Sequence, residues 1–89
     1  MTNPGEAVGV REALRAAVAQ ALTGDWQAAH EVAQQHEDDA LACWLHAVCH
    51  RMEGDVANAR YWYRHCKREL RPEVSAEAEL REIAGALGS

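Results

Sequence analysis

The spacing of apolar residues is helical from about residue 6 almost to the C-terminus. Val10, Leu14, Val18 and Leu22 recur every four positions, as the apolar face of one helix does. Similar stripes follow in four later segments, which are separated by glycine, acidic clusters or proline. The pattern predicts an all-α domain of five helices, at about residues 6–23, 25–35, 39–53, 55–70 and 72–87.

The third segment is the most apolar part of the chain. Nearly every side chain between residues 40 and 49 is apolar, and such a helix is normally contacted on several sides. We therefore expect the other helices to pack around it. The inward residues expected elsewhere are Trp26, Ala29 and Ala33 in the second helix, Val56, Ala59, Trp62 or Tyr63 and Cys66 in the fourth, and Val74, Leu80, Ile83, Ala84 and Leu87 in the fifth.

Two Gly-Asp pairs, Gly24-Asp25 and Gly54-Asp55, stand 30 residues apart. Each pair has the residues of a tight turn between helices, because glycine closes one helix and aspartate caps the next. A fixed period of this kind is typical of stacked supersecondary units. The repeat predicts hairpins at 6–36 and 38–70 and a capping helix at 72–87, in a single domain 6–89 that follows a flexible tail at 1–5.

The residues around these turns resemble the tetratricopeptide repeat, whose unit is an antiparallel helical hairpin. The positions that carry the resemblance are Ala17, Trp26, Ala29, Ala47, Val56, Ala59 and Tyr63. The family period is about 34 residues. The period here is shorter by about one helical turn, so the helix faces stay roughly in phase. The resemblance covers about residues 10–70 and implies stacked hairpins with a concave surface for a protein segment.

A shorter block, residues 46–65, resembles a segment found in small bacterial proteins of unknown function. That resemblance implies a bacterial origin and brings no activity with it. It indicates only that the block is a unit.

Composition and charge narrow the classes of function. The 89 residues include eighteen alanines and no phenylalanine, so the helices are expected to pack closely around three tryptophans. The net charge is −5, which argues against broad nucleic-acid binding. We expect neither a signal peptide nor a membrane span, because the chain shows no basic leader and no run of about 20 apolar residues. Three cysteines without a CxxC pair fit a reducing compartment, so a cytoplasmic protein is expected.

His46 and His50 are four residues apart on the third helix, so both rings project from one face. This spacing allows two imidazoles to share a metal ion. Glu53 follows one turn later, Cys43 precedes by three residues, and His30 on the second helix is a further candidate ligand. Partly buried histidines that are hydrogen-bonded to neighbouring helices are the commoner arrangement, and we expect it here.

Polar and aromatic residues crowd the second Gly-Asp turn. The candidate surface for a partner or ligand comprises His46, His50, Arg51, Glu53, Asn58, Arg60 and Tyr61. Such mixtures line the binding surfaces of helical repeats, and arginine clamps carboxylates well. The alternative is an ordinary capped turn, in which Asp55 caps the helix, Glu53 pairs with an arginine and Trp62 fills the core.

Adjacent residues on a helix point about 100° apart, so Tyr61, Trp62 and Tyr63 cannot form one flat platform. We expect at least one of them to be buried and Tyr61 to be the better interface candidate. Arg60, Arg64, Lys67, Arg68 and Arg71 form a basic stripe. The stripe is either a phosphate contact or, more commonly, a solvated face, and the acids of the fifth helix (Glu73, Glu77 and Glu82) are expected to neutralise it.

The leading hypothesis is an uncharacterised helical-repeat protein that acts as a protein–protein interaction module or forms a homodimer. The alternative is a small metal- or ligand-binding protein that uses the His46 and His50 face. We expect no enzymatic activity and no cofactor, because the chain shows no phosphate loop, nucleophile elbow or HExxH pattern.

Overall fold

Five α-helices form the regular structure of the described chain, which confirms the all-α prediction. The computed structural model describes the backbone of residues 4–88 and the side chains of residues 9–88. The helices are α1 (Pro4–Leu22), α2 (Trp26–Gln34), α3 (Ala40–Glu53), α4 (Val56–His65) and α5 (Ala76–Ala86). Within the described residues, no helix is both long and apolar enough to cross a membrane. Residues 1–3 of the expected tail lie outside the described residues, whereas Pro4 and Gly5 already belong to α1.

The two Gly-Asp pairs form the same turn. Gly24 and Gly54 take left-handed backbone angles, with φ of 99° and 94°, which favour glycine because it lacks a Cβ. The carboxylates of Asp25 and Asp55 then each accept the backbone N–H three residues on, at 3.2 Å. These turns connect α1 to α2 and α3 to α4, and the helices of each pair pack against each other.

Helix α3 lies at the centre of the molecule. It contacts each of the other four helices, and residues 42–49 are all buried. The central position predicted from its apolar sequence is therefore confirmed. Ala29 and Ala33 of α2 are fully buried, and such small side chains allow α2 to approach α3 closely.

Helix α5 packs against α1 and α3, the first helices of the two hairpins. Its buried apolar residues are Leu80 and Ile83, and Leu87 follows directly after the helix. The carbonyl of Leu87 accepts hydrogen bonds from Arg15 at 2.7 Å and from Arg11 at 3.1 Å. Helix α5 therefore covers one side of both α1 and α3.

Two predicted helix boundaries are wrong. Helix α4 ends at His65 rather than near residue 70, because Lys67 adopts a left-handed φ of 61°. Helix α5 begins at Ala76 rather than at Pro72, because Ser75 is its N-cap and accepts the N–H three residues on at 3.0 Å. Residues 66–75 therefore form a connection rather than the adjoining ends of two helices.

The aromatic run of α4 divides between core and surface. Tyr63 is buried, Trp62 is half-buried, and Tyr61 is 57% exposed, as expected for the interface candidate. Val56 was predicted to point inward but is 47% exposed, because it opens α4 on the side away from the core. The residue that faces the core from the first turn of α4 is Ala59.

Candidate metal centre

Three histidines from two helices meet at their Nε2 atoms. His30 lies in the middle of α2, and His46 and His50 lie one turn apart on α3. Nε2 of His46 is 3.0 Å from Nε2 of His30 and 3.2 Å from Nε2 of His50. One nitrogen of each ring lies within 4.8 Å of the other two. The structure therefore brings together the three histidines that the sequence singled out.

The packing of α2, α3 and α4 fixes this arrangement. His30 meets the ring of His46 edge-on, with 4.5 Å between centroids and an interplanar angle of 85°. On the other side, Trp62 stacks on His46 with 4.0 Å between centroids and an angle of 19°. Contact from both sides leaves His46 only 3% exposed. The ring of His46 is therefore closely packed, with Nε2 near the other two histidines.

Hydrogen bonding accounts for only one of the two close approaches to Nε2 of His46. A neutral imidazole nitrogen carries either one hydrogen or one lone pair. Nε2 of His46 therefore forms one good hydrogen bond, with His30 or with His50, although both nitrogens lie within bonding distance. A cation at the point of convergence accepts a lone pair from all three rings at once.

The second nitrogen of His46 is also unexplained by hydrogen bonding. Nδ1 is buried and has no hydrogen-bond partner among the described residues. Unsatisfied buried polar atoms are uncommon, and an apolar side chain of similar size would fill the same space at lower cost. An imidazole that coordinates through Nε2 carries its hydrogen on Nδ1, so this atom stays unpaired with or without a metal.

Burial also favours the neutral form of these rings. Burial, followed by the charges that His30 and His50 carry when protonated, lowers the pKa of His46 to about 4. Burial and the charge of His50 lower the pKa of His30 as well. Neutral imidazole is the form that coordinates metals, so both rings are ready to do so at neutral pH.

Glu53 holds His50 from the opposite side of its ring. Its Oε1 lies 2.9 Å from Nδ1 of His50. A carboxylate that accepts the Nδ1 hydrogen leaves Nε2 with its lone pair and orients the ring, an arrangement common behind metal-bound histidine. The expectation that Glu53 pairs with an arginine is therefore wrong. Asp55 lies close to His50 and Glu53, but its carboxylate already caps α4.

The two nitrogen spacings at His46 are close to those around a tetrahedral first-row cation. Zinc–nitrogen bonds of about 2.0–2.1 Å at tetrahedral angles place two ligand nitrogens roughly 3.3–3.4 Å apart. The distances from His46, 3.0 and 3.2 Å, are only a few tenths of an ångström shorter. Among the residues whose side chains are described, no carboxylate or thiolate joins the three histidines as a fourth member of the group. Such a site offers three protein ligands and one open coordination position.

The other residues proposed from the sequence lie outside the cluster. Cys43 donates its S–H to a backbone carbonyl of α4 at 3.7 Å, so its thiol does not face the histidines. Arg51 turns the other way and donates to Glu79 at 3.0 Å. Asn58 donates to the capping carboxylate of Asp55 at 3.2 Å and belongs to the turn.

The remaining two, Arg60 and Tyr61, are exposed on α4. Tyr61 meets the edge of Trp62 with 5.3 Å between centroids, so it borders the aromatic side of the cluster. Arg60 lines a separate hollow near the end of α4. The seven residues of the proposed surface therefore do not form one site.

Glu79 is the buried polar residue that sequence reasoning missed. It is 1% exposed and accepts hydrogen bonds from Trp44 Nε1 at 2.9 Å, from the Tyr63 hydroxyl at 2.8 Å and from Arg51 at 3.0 Å. Its place in the sequence carried a signal, because it stands four residues before Ile83 on the apolar face of α5. These hydrogen bonds connect α3, α4 and α5, so we assign the network to stabilisation of the fold and not to a binding site.

The three cysteines are free thiols. Burial raises the pKa of Cys49 and of Cys66 to about 12, so both stay protonated at neutral pH. A protonated thiol is a poor nucleophile and a poor metal ligand.

No family model, curated protein or solved structure matches the chain. The likeness to the tetratricopeptide repeat stays an expectation. The case for function therefore comes from the geometry and chemistry of the site.

Proposed function

We propose that this protein binds a divalent transition metal of the zinc class through His30, His46 and His50. The observation that supports the proposal most is the approach of the other two Nε2 atoms to that of His46, at 3.0 and 3.2 Å. Imidazole suits zinc, copper, nickel and iron, whereas calcium and magnesium prefer oxygen ligands. The absence of thiolate and carboxylate from this group of described residues favours the late first-row metals.

The three histidine ligands also favour a site with one open coordination position. Structural zinc sites use four protein ligands, whereas three protein ligands with an open position are typical of sites that exchange the fourth. The side chain of His50 is 12% exposed, so one edge of the cluster reaches solvent. The proposed role is therefore reversible metal binding with an exchangeable fourth ligand.

Calorimetric titration of tag-free protein with Zn²⁺ tests the proposal. We expect one equivalent of Zn²⁺ per chain. Replacing one of three ligands removes a metal–nitrogen bond, so His50→Gln and His30→Gln should each weaken binding by at least about 100-fold. His36→Gln is the matched control, because it removes a histidine that lies outside the cluster.

Two results would count against the proposal. One is wild-type binding well below one equivalent. The other is an equal loss of affinity in His36→Gln and His50→Gln, because the metal would then be held by surface histidines in general. Far-ultraviolet circular dichroism of each variant establishes that the helices are retained.

A further inference from the structure

Four cations at the end of α4 lie together without acidic partners. This group, the cationic face, consists of Arg60, Arg64, Lys67 and Arg68. All four are exposed, and none forms an ion pair with any side chain described in residues 9–88. The acids of α5 were expected to neutralise the stripe, but they do so only at Arg71, which pairs with Glu82 at 2.9 Å. Glu69 lines the hollows beside these cations without forming an ion pair with any described side chain, so the cationic face keeps a net positive charge.

The cationic face surrounds two adjoining hollows of about 380 and 360 Å³. Both are lined by Tyr63, Arg68 and Glu69. The guanidinium of Arg68 lies 3.5 Å from the ring centroid of Trp44, a cation–π contact that holds it at the shared edge. One member of the face is thus fixed in place before any ligand arrives.

Lys67 occupies a backbone position that suits glycine. Its φ is 61°, in the left-handed region that side chains with a Cβ disfavour. The N–H of Lys67 donates to the carbonyl of Arg64, three residues earlier. The N–H of Arg68 donates to the carbonyl of Tyr63, five residues earlier. The same two bonds close α1 at Gly24 and α3 at Gly54. Lys67 therefore stands at the third copy of a turn that elsewhere uses glycine.

The difference between these turns needs a reason. Glycine at position 67 would relieve the strained φ, and the structure records no ion pair for the lysine ammonium within the described residues. Strained positions that keep a side chain cluster at functional sites. Lys67 also lines a hollow with acidic residues of the turn before α3, but it forms no ion pair with them and is available to a ligand that approaches from solvent.

We propose that the cationic face binds a short acidic segment of a partner protein. Arg60 and Arg64 are separated by one helical turn, a rise of about 6 Å. In an extended peptide, carboxylates on alternate residues stand about 7 Å apart on one side. Two alternate acidic side chains of the peptide can therefore contact Arg60 and Arg64. The acidic side chains that follow can contact Lys67 and Arg68.

Charge at the borders favours a short segment over a nucleic acid. Lys67 also lines a neighbouring hollow together with Glu37, Asp38 and Asp39. A long polyanion that leaves the cationic face would meet these acids, and the whole chain carries a net charge of −5. A run of a few acidic residues approaches these acids only at Lys67.

This site is separate from the histidine cluster and does not depend on the metal. It is also accessible, because α5 covers α1 and α3 and leaves the end of α4 exposed. The sequence predicted a protein–protein interaction module, and this proposal specifies that the partner's segment is acidic.

Fluorescence anisotropy of a labelled hexaglutamate peptide, titrated with the full chain at low ionic strength, tests this proposal. Each exposed contact is worth about 1 kcal/mol, so Arg64→Ala and Lys67→Gly should each weaken binding by about fivefold. Arg81→Ala is the matched control, because it removes an exposed arginine from α5. Lys67→Gly is the most informative variant, since it relieves backbone strain while it removes the charge, so any loss of binding is not a loss of folding.

Preference for hexaglutamate over hexaglutamine, with losses confined to Arg64→Ala and Lys67→Gly, supports the proposal. An equal loss in Arg81→Ala would overturn it, because net charge alone would then explain the binding. Tighter binding of a single-stranded hexanucleotide than of hexaglutamate would also overturn it in favour of a nucleic-acid ligand.

Discussion

His46 combines features that packing alone does not produce. It is 3% exposed, its Nδ1 has no partner among the described residues, and its Nε2 faces His30 and His50. A buried polar residue of this kind is expected to destabilise the metal-free protein, as residues at the proposed binding site would. The consequences are measurable both as a function of pH and by substitution.

The stability of the metal-free protein should fall as the pH drops below 6.5. The pKa of His46 is about 4 in the folded protein and 6.5 in the unfolded chain. Between these values the unfolded chain binds more protons, so acid favours unfolding. The full loss, reached below pH 4, amounts to roughly 3 kcal/mol. Urea unfolding in chelator at pH 7.5 and pH 4.5 measures most of this loss.

His46→Leu isolates this contribution from the other titrating groups. The variant should lose less stability than the wild type over the same pH interval, because leucine takes up no proton. At pH 7.5 it should be as stable as the wild type or more so, since the unpaired Nδ1 is removed. An unchanged pH dependence in His46→Leu would contradict the assignment.

Lys67 is the second residue whose place in the structure its contacts do not explain, because its backbone angles favour glycine. Lys67→Gly should raise the free energy of unfolding by about 1 kcal/mol, because a residue with φ of 61° gains from losing its Cβ. Gly54→Ala, at the equivalent turn with φ of 94°, should lower it by a similar amount. Urea unfolding at pH 7.5 compares the two, and a destabilised Lys67→Gly would show that the side chain supports the fold.

At the scale of the element, α5 is held at both ends by arginines and near its start by a buried carboxylate. Arg11 and Arg15 donate to the carbonyl of Leu87, and Arg51 donates to Glu79 near the start of the helix. The Arg51 guanidinium also bonds to the backbone carbonyl of Val74, just before the helix. These contacts attach α5 to α1 and α3 by hydrogen bonds as well as by apolar packing.

Removing the carboxylate should loosen α5. Glu79→Ala leaves the buried donors of Trp44, Tyr63 and Arg51 without their shared acceptor, which should cost about 3–5 kcal/mol. Glu77→Ala, which breaks an exposed pair with Arg81 on the same helix, should change stability by less than about 0.5 kcal/mol. Equal effects in the two variants would show that burial of Glu79 is not what holds the helix.

The elements were predictable where local signals were strong. Gly24-Asp25 and Gly54-Asp55 gave both hairpin turns, because glycine and aspartate meet specific backbone demands at helix ends. The end of α4 was not predictable, since Lys67 carries no sequence signal for a left-handed turn. The start of α5 was misplaced for a related reason, because Pro72 is compatible with a first helical turn but Ser75 supplies the cap.

The candidate site was only partly predictable, because it depends on how separate helices pack. Helical spacing alone places His46 and His50 on one face of α3. Whether His30 reaches them depends on the approach of α2, which a single sequence does not specify. The partners of Glu79 likewise come from α3 and α4, so its burial became evident only in the assembled fold.

At the scale of the whole molecule, metal and folding should be linked. The three proposed ligands come from α2 and α3, so a metal that binds them favours the folded chain. Zn²⁺ at a free concentration 100 times its Kd should raise the free energy of unfolding by about 2.7 kcal/mol. Urea unfolding with and without Zn²⁺ measures this gain, and chelator should reverse it. His50→Gln should show little gain, whereas a gain equal to that of the wild type would place the metal elsewhere.

The most direct test of the metal centre is the ring nitrogen signals of the five histidines during titration with Zn²⁺. Long-range proton–nitrogen correlation spectra distinguish Nε2 from Nδ1 in each ring. We predict that one equivalent of Zn²⁺ shifts the Nε2 signals of His30, His46 and His50 together and leaves those of His36 and His65 in place. Zn²⁺ shifts that appear at His36 or His65 first, or that leave His46 unchanged, would contradict the proposed centre.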